Sequence, residues 1–73
     1  MMKKYAVDVI APCEILDKST GERVVIENIE RIPNTDLLMF MGYFDADGAV
    51  YDRPMDDDSV IRVLDTSESG VVS

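Results

Sequence analysis

The longest nearly unbroken apolar run in the chain is Leu37–Phe44, which reads Leu-Leu-Met-Phe-Met-Gly-Tyr-Phe. Its short length, its glycine and its aromatic side chains favour a β-strand over a helix. Apolar residues occupy almost every position rather than alternate ones, so both faces of the strand need cover. We expect one face to lie in the core of a small domain, and the other to be closed by the same barrel, a second subunit or a partner.

Four further strands are predicted around this central one, at residues 14–16, 22–32, 50–53 and 60–64. In the second of them the period of two fails near Glu27, and a bulge there would return Ile29 to the core. Ahead of the first strand, residues 5–10 alternate loosely, with Tyr5 and Val7 on one side. Val9 would share their side and Asp8 would lie on the other, and this pattern predicts a short edge segment.

Turn-forming clusters separate the predicted strands, at residues 18–21, 33–36, 47–48 and 55–59. Asp47-Gly48 indicates a two-residue hairpin loop, which sets Phe44 opposite Tyr51, and Pro54 is expected to end the returning strand. This register predicts a core face formed by Leu38, Phe40, Phe44 and Tyr51. The opposite face, the candidate contact surface, then carries Met39, Met41 and Tyr43. A slip of one residue in the hairpin would exchange the two faces.

The order of these elements resembles the SH3-like small β-barrel. The resemblance covers residues 5–64 and includes the long bent second strand, the Asp47-Gly48 hairpin and the Val60–Leu64 ending. The chain is also similar to short barrel proteins of bacteria and phages. The resemblance implies an all-β fold, a small five-stranded antiparallel barrel. It does not extend to proline-rich ligands, because the chain has no tryptophan and no Ala-Leu-Tyr-Asp-Tyr stretch.

The composition limits the ways in which a domain of this size can be stabilised. The 73 residues predict a single domain over 1–65, followed by a mobile tail over 66–73 that has little to bury. A disulfide within the chain is excluded because Cys13 is the only cysteine. Dense packing or self-association is therefore favoured, and the free thiol indicates a reducing cytoplasm. No apolar run approaches the ~18 residues that span a membrane.

The chemistry available to the chain predicts no enzyme and no cofactor. The chain has no histidine, so a nucleophilic Cys13 or serine would lack its usual base. Cys13 is more simply a small apolar residue of a strand. An EF-hand alignment with Gly48 at position six puts Tyr43 at position one and Pro54 at position twelve, where oxygen ligands are needed. We therefore expect no calcium site, and an acidic solvated turn at residues 56–58.

The charge of the chain is −8 and is unevenly distributed. Residues 1–35 carry six acids and five bases, whereas residues 36–73 carry nine acids and two bases, Arg53 and Arg62. Direct nucleic-acid binding is not expected, because phosphate binding requires clusters of Lys and Arg. A basic protein surface is the natural partner of such a negative electrostatic field. The alternative is that the acids serve only to keep a small domain in solution.

Three functional hypotheses follow. The first is a non-catalytic protein-interaction module, a bacterial or phage accessory protein that self-associates, for example as a homodimer, or docks through residues 37–44. The second is an acidic inhibitor or nucleic-acid mimic for a basic groove of a host enzyme. The third is a structural component of a larger assembly such as a virion. The candidate partner-binding residues are Met39, Met41, Tyr43, Asp45, Asp47, Asp52, Asp56, Asp57 and Asp58.

Overall fold

A computed structural model describes residues 1–64, which form six β-strands and one short 3-10 turn at Ala6–Asp8. The strands are β1 (Met2–Tyr5), β2 (Cys13–Leu16), β3 (Arg23–Arg31), β4 (Leu37–Phe44), β5 (Val50–Asp56) and β6 (Val60–Leu64). All neighbours are antiparallel, in the order β1-β6-β2-β3-β4-β5. The sheet curls into a half-barrel, with β1 and β5 as its two edges. The predicted tail, residues 66–73, lies outside the described residues.

The all-β class is confirmed, but the predicted count of five strands is wrong. Among the described strands the additional one, β1, pairs only with β6, and its Met-Lys-Lys-Tyr sequence lacks the apolar alternation that marks a strand. Of the predicted edge segment over 5–10, Tyr5 ends β1 and the rest forms the 3-10 turn and a loop. Tyr5 and Val7 are exposed there, whereas Ala6 and Val9 are buried in the core.

The core fills the inner, concave face of the sheet. Alternate residues of the strands point into it, as the periodicity predicts, and the 3-10 turn covers one end. Its buried apolar side chains are Ala6, Val9, Ile15, Val24, Ile26, Leu38, Phe40, Tyr51, Met55 and Ile61. Phe44, which the sequence also assigned to this face, is half-buried and packs against them. The opposite, convex face is called the outer face below.

The predicted bulge in β3 is confirmed. Ile26 pairs with Gly42 and Asn28 pairs with Met41, so that Glu27 is the extra residue. The insertion reverses the alternation, and Ile29 returns to the core face beside Ile26.

The hairpin between β4 and β5 has a longer loop than predicted. The Phe44 N–H donates to the Ala49 carbonyl at 2.8 Å, so the loop consists of residues 45–48. Tyr51 therefore lies opposite Gly42, two residues away from the predicted Phe44. Because the register differs by an even number of residues, each side chain stays on its predicted face of the sheet. Phe44 still contacts Tyr51 diagonally, edge to face, with 5.3 Å between the ring centroids.

Pro54 does not end β5, as the sequence predicted, because it lies on an edge strand. Hydrogen bonding alternates along an antiparallel pair, so the bond at Phe44 and Ala49 places Val50, Asp52, Pro54 and Asp56 with their backbone groups toward the open edge. Pro54 needs no partner there for a backbone N–H, since it has none. The strand consequently continues to Asp56.

Residues 1–64 contain no helix with the length and apolar character needed to cross a membrane.

Candidate interaction surface

Met39, Met41 and Tyr43 all lie on the outer face of β4, away from the core, and are called the β4 stripe below. Each lies between one residue of β3 and one residue of β5. The three rows are Glu30–Met39–Pro54, Asn28–Met41–Asp52 and Val25–Tyr43–Val50. The β3–β5 end of the outer face is therefore apolar along its middle strand, as the two-sided apolar character of Leu37–Phe44 indicates.

The β4 stripe is partly open to solvent. Met39 and Met41 are half-buried, and Tyr43 is 36% exposed. Beside Tyr43, Val50 is 81% exposed. Contiguous exposed apolar side chains with a polar rim are characteristic of surfaces that bind another molecule.

The six candidate aspartates do not form one patch. Asp52 and Asp56 lie along the outer face of β5, Asp45 and Asp47 lie in the hairpin loop, and Asp57 and Asp58 form the turn before β6. Two of them have structural partners. The Asp47 carboxylate accepts the Ala49 N–H at 3.0 Å, and Asp57 lies 3.7 Å from an Arg31 nitrogen. Asp52 is the aspartate that lies directly beside the β4 stripe, opposite Met41.

The other end of the outer face is basic. Lys3 of β1 lies opposite Arg62 of β6, and Tyr5 lies opposite Val60. Tyr5 is 56% exposed and Val60 is 46% exposed. Within residues 1–64, neither Lys3 nor Arg62 forms an ion pair. A shallow groove of about 480 Å³ runs along Lys3, Lys4, Tyr5, Asp8 and Val60.

A buried polar cluster, absent from the sequence-based predictions, joins β5 to the turn between β2 and β3. Asp17 is 1% exposed, and its carboxylate accepts the Tyr51 hydroxyl at 2.8 Å. The other carboxylate oxygen accepts the backbone N–H groups of Ser19 and Thr20, at 3.1 Å and 3.0 Å. Arg53 lies 3.8 Å from Asp17 and donates to the Ser19 hydroxyl at 2.8 Å.

The charge state of this cluster follows from its contacts. Burial alone would raise the pKa of Asp17, but the hydrogen bonds from Tyr51 and Thr20 and the charge of Arg53 lower it further than burial raises it. Burial, together with the hydrogen bond to and the charge of Asp17, raises the pKa of Tyr51. The proton therefore stays on Tyr51, which donates to an ionised Asp17. With these donors satisfying both carboxylate oxygens, the cluster is a structural link between β5 and the β2–β3 turn.

The part of this cluster that Asp17 forms with its own turn could have been predicted from the sequence. Asp17 precedes Lys-Ser-Thr-Gly, and an Asp that accepts backbone N–H groups two and three residues later is a common turn pattern. Gly21 has φ of 74° there, in the left-handed region that the turn cluster anticipated. The contact of Asp17 with Tyr51 carries no local signal, since 34 residues separate the two.

Cys13 lies in β2, half-buried against the core. Burial raises the pKa of its thiol more than the charge of Lys4 lowers it, and Glu14 raises it further. The thiol is consequently protonated at neutral pH, which makes it a poor nucleophile. Within the described part of the chain, no three Cys, Asp or Glu side chains are grouped so that they could hold a metal ion.

No protein-family model, no curated protein and no solved structure matches this chain.

Proposed function

We propose that the protein is a non-catalytic interaction module that binds another protein through the outer face of β3, β4 and β5. The observation that carries this proposal is the β4 stripe, which leaves Met39, Met41 and Tyr43 partly open to solvent on the strand next to the β5 edge. Methionine suits such a surface, because its flexible side chain adapts to irregular contacts. Tyrosine adds a large contact area with a polar end.

The rim of the β4 stripe indicates the chemistry of the partner. Glu30 and Asp52 flank the two methionines, and Asp56 continues the acidic rim along β5. An apolar patch surrounded by Lys and Arg would match this arrangement, and the net charge of −8 would steer such a partner toward the module. A symmetric pairing of two β4 stripes is disfavoured, since it would bring the same acids of both copies together.

The other two functional hypotheses remain predictions without a specific observation in their favour. An acidic mimic needs its aspartates to act together, but the six candidates lie at three separate places. A role inside a larger assembly would use the same outer face as the interaction module.

The proposal includes an SH3-like arrangement for the half-barrel, in a cytoplasmic protein of bacterial or phage origin. The bulged β3, the β4–β5 hairpin and the single turn before β6 support this arrangement. The five strands that the sequence predicted are the neighbours β6-β2-β3-β4-β5 of the sheet, with β1 added at one edge. An experimental structure would test whether the curled sheet closes as those barrels do.

The proposed docking surface is tested by Met41→Asp, which puts a charge in the middle of the β4 stripe. The protein is immobilised, incubated with an extract of its source organism, and the retained proteins are quantified by mass spectrometry. A retained partner is then purified, and its affinity for the wild type and for Met41→Asp is measured directly. We expect Met41→Asp to weaken that affinity at least about tenfold, as a central interface residue does.

Ile10→Asp is the matched control, because Ile10 is an exposed apolar side chain in the loop before β2, outside both ends of the outer face. It should leave the affinity unchanged. Circular dichroism would show that both variants remain folded. A purified partner that binds the wild type and Met41→Asp equally well would overturn the proposal.

A further inference from the structure

We propose that the outer face carries two complementary patches, so that copies of the chain associate head to tail. The acidic patch is the β4 stripe with Glu30, Asp52 and Asp56. The basic patch, at the other end of the sheet, consists of Lys3, Tyr5, Val60 and Arg62. This inference rests on the proposed function, since it uses the β4 stripe as a docking surface and names a second copy as its occupant.

The basic patch has the composition that the acidic patch requires. Tyr5 and Val60 are paired across β1 and β6 and form an exposed apolar centre. Lys3 and Arg62 form the next cross-strand pair, so two positive charges lie beside that centre. On the acidic patch the charges have the opposite sign, and Glu30 of β3 and Asp52 of β5 flank the apolar centre on its two sides. Placing one patch on the other thus joins apolar to apolar and acid to base.

These charges lack ion-pair partners inside the described part of the molecule. The ion pairs within residues 1–64 join Arg23 to Glu14, Arg31 to Asp57 and Arg53 to Asp17. None of them involves a charged residue of either patch. Two like charges paired directly across strands, such as Lys3 and Arg62, repel each other, and a counter-charge from another copy would relieve that repulsion.

Backbone pairing at the sheet edges is a less suitable route to association. Pro54 lies where β5 turns its backbone toward the open edge, and it offers no N–H to a further strand. At the other edge, β1 has only four residues and two lysines, which also discourage strand addition. Contacts between side chains of the outer face are therefore the more suitable route to association.

The curl of the sheet determines the symmetry of the contact. Five strand spacings separate β1 from β5, about 24 Å along the sheet, and the two ends of a curled sheet face different directions. One copy therefore cannot use both patches on the same neighbour. Contacts between unlike patches are heterologous, and they produce a ring where the rotation closes and an open filament where it does not.

Charge reversal tests the proposal with the full-length chain. One variant carries Lys3→Glu and Arg62→Glu, which makes both patches acidic. A second carries Glu30→Lys and Asp52→Lys, which makes both patches basic. We expect the wild type to show a mass that rises with concentration in sedimentation velocity and light scattering, and each variant alone to remain a monomer. An equimolar mixture of the two variants should associate again, because each basic patch then meets an acidic one.

Glu22→Lys combined with Asp58→Lys is the control for net charge. Both residues are exposed outside the two patches, and the pair of changes gives the same net charge, −8 plus 4, as the second variant. The control should associate like the wild type. Circular dichroism of every variant separates lost association from lost folding.

A wild type that stays monomeric at every concentration overturns the inference, as does a mixture of the two variants that remains monomeric. If a purified foreign partner still loses affinity with Met41→Asp in those cases, the proposed function stands without the inference. Conversely, association that depends on the charges but is unchanged by Met41→Asp would show that the stripe is not the docking surface, and the proposed function would fail.

Discussion

At the scale of single residues, Asp17 is the residue whose surroundings are most tightly constrained. It is an ionised carboxylate with almost no exposed surface, and a buried charge is tolerated only when it is hydrogen-bonded and paired. Tyr51, Thr20, Ser19 and Arg53 supply those contacts. The Arg53 guanidinium carbon also lies 5.9 Å from the centre of the Tyr51 ring.

Tyr51→Phe should destabilise the protein by about 1.5–3 kcal/mol, because it removes the hydroxyl that donates to the buried Asp17 charge. Urea denaturation followed by circular dichroism measures the change. Tyr43→Phe is the matched control, since Tyr43 lies on the outer face of the neighbouring strand and is partly exposed. It should change the free energy of unfolding by less than about 0.5 kcal/mol. Equal effects of the two substitutions would contradict the role assigned to Asp17.

The stability that Asp17 contributes should depend on pH. Its pKa is lowered in the folded state, so the ionised carboxylate stabilises the fold above its unfolded pKa of about 4. That contribution is lost as the pH falls through the folded pKa. Asp17→Asn should therefore be less stable than the wild type by about 2 kcal/mol at neutral pH, and the difference should shrink below pH ~4. Urea denaturation of both proteins across this range measures it, and a difference that stays constant would be evidence against the prediction.

At the scale of elements, β3 and β4 pack closely at one point because Gly42 has no side chain. Gly42 lies opposite Ile26 at the bulge, and a Cβ atom there would overlap the backbone carbonyl of Val25. Backbone cannot move aside as a flexible side chain can. The bulge that returns Ile29 to the core therefore requires glycine at position 42.

Gly42→Ala should lower the free energy of unfolding by about 1–3 kcal/mol, the cost of forcing extra atoms into a packed region. Gly48→Asn is the control: a Cβ atom at position 48 meets nothing, and asparagine tolerates the positive φ of 74°. Thermal and urea denaturation would compare the two variants. A Gly42→Ala protein as stable as the wild type would show that the bulge relaxes without cost.

The strands differ in how far their sequences determine them. In β3 the apolar alternation and its break near Glu27 predict the faces and the bulge. In β4, which is apolar at almost every position, the faces follow from the predicted pairing with β5. The register of the β4–β5 hairpin could not be predicted as precisely, since Asp47-Gly48 also fits the end of a four-residue loop. β1 was missed because its place in the sheet depends on β6, which lies more than fifty positions further along the chain.

At the scale of the whole molecule, the candidate surface follows from how the sheet divides its residues. The inner face takes enough of the apolar side chains to form a core, and the remainder stay on the outer face as the β4 stripe and the Tyr5–Val60 pair. The two-sided apolar character of Leu37–Phe44 predicts the first of these. The second could not be predicted, because it exists only through the pairing of β1 with β6.

The position of β6 makes the sheet depend on the last of its described strands. β6 lies between β1 and β2 and pairs with both, although both precede it in the chain. A chain that ends at Ser59 should therefore fail to fold, as judged by circular dichroism and by loss of a cooperative urea transition. A chain that ends at Leu64 is the control and should fold. Folding of the shorter chain would show that β2–β5 are stable by themselves.

The same topology has a consequence for biosynthesis. A ribosome releases β1 and β2 before β6, and β1 cannot join the sheet until β6 has followed, although β2 can already pair with β3. Domains whose early segments pair with one another can acquire structure while they are still being translated. In this chain β2–β5 can pair in the order of their synthesis, but β1 and the open side of β2 lack their neighbour until β6 has been synthesised. Its many acidic side chains would then protect the nascent chain from aggregation as well as the folded protein.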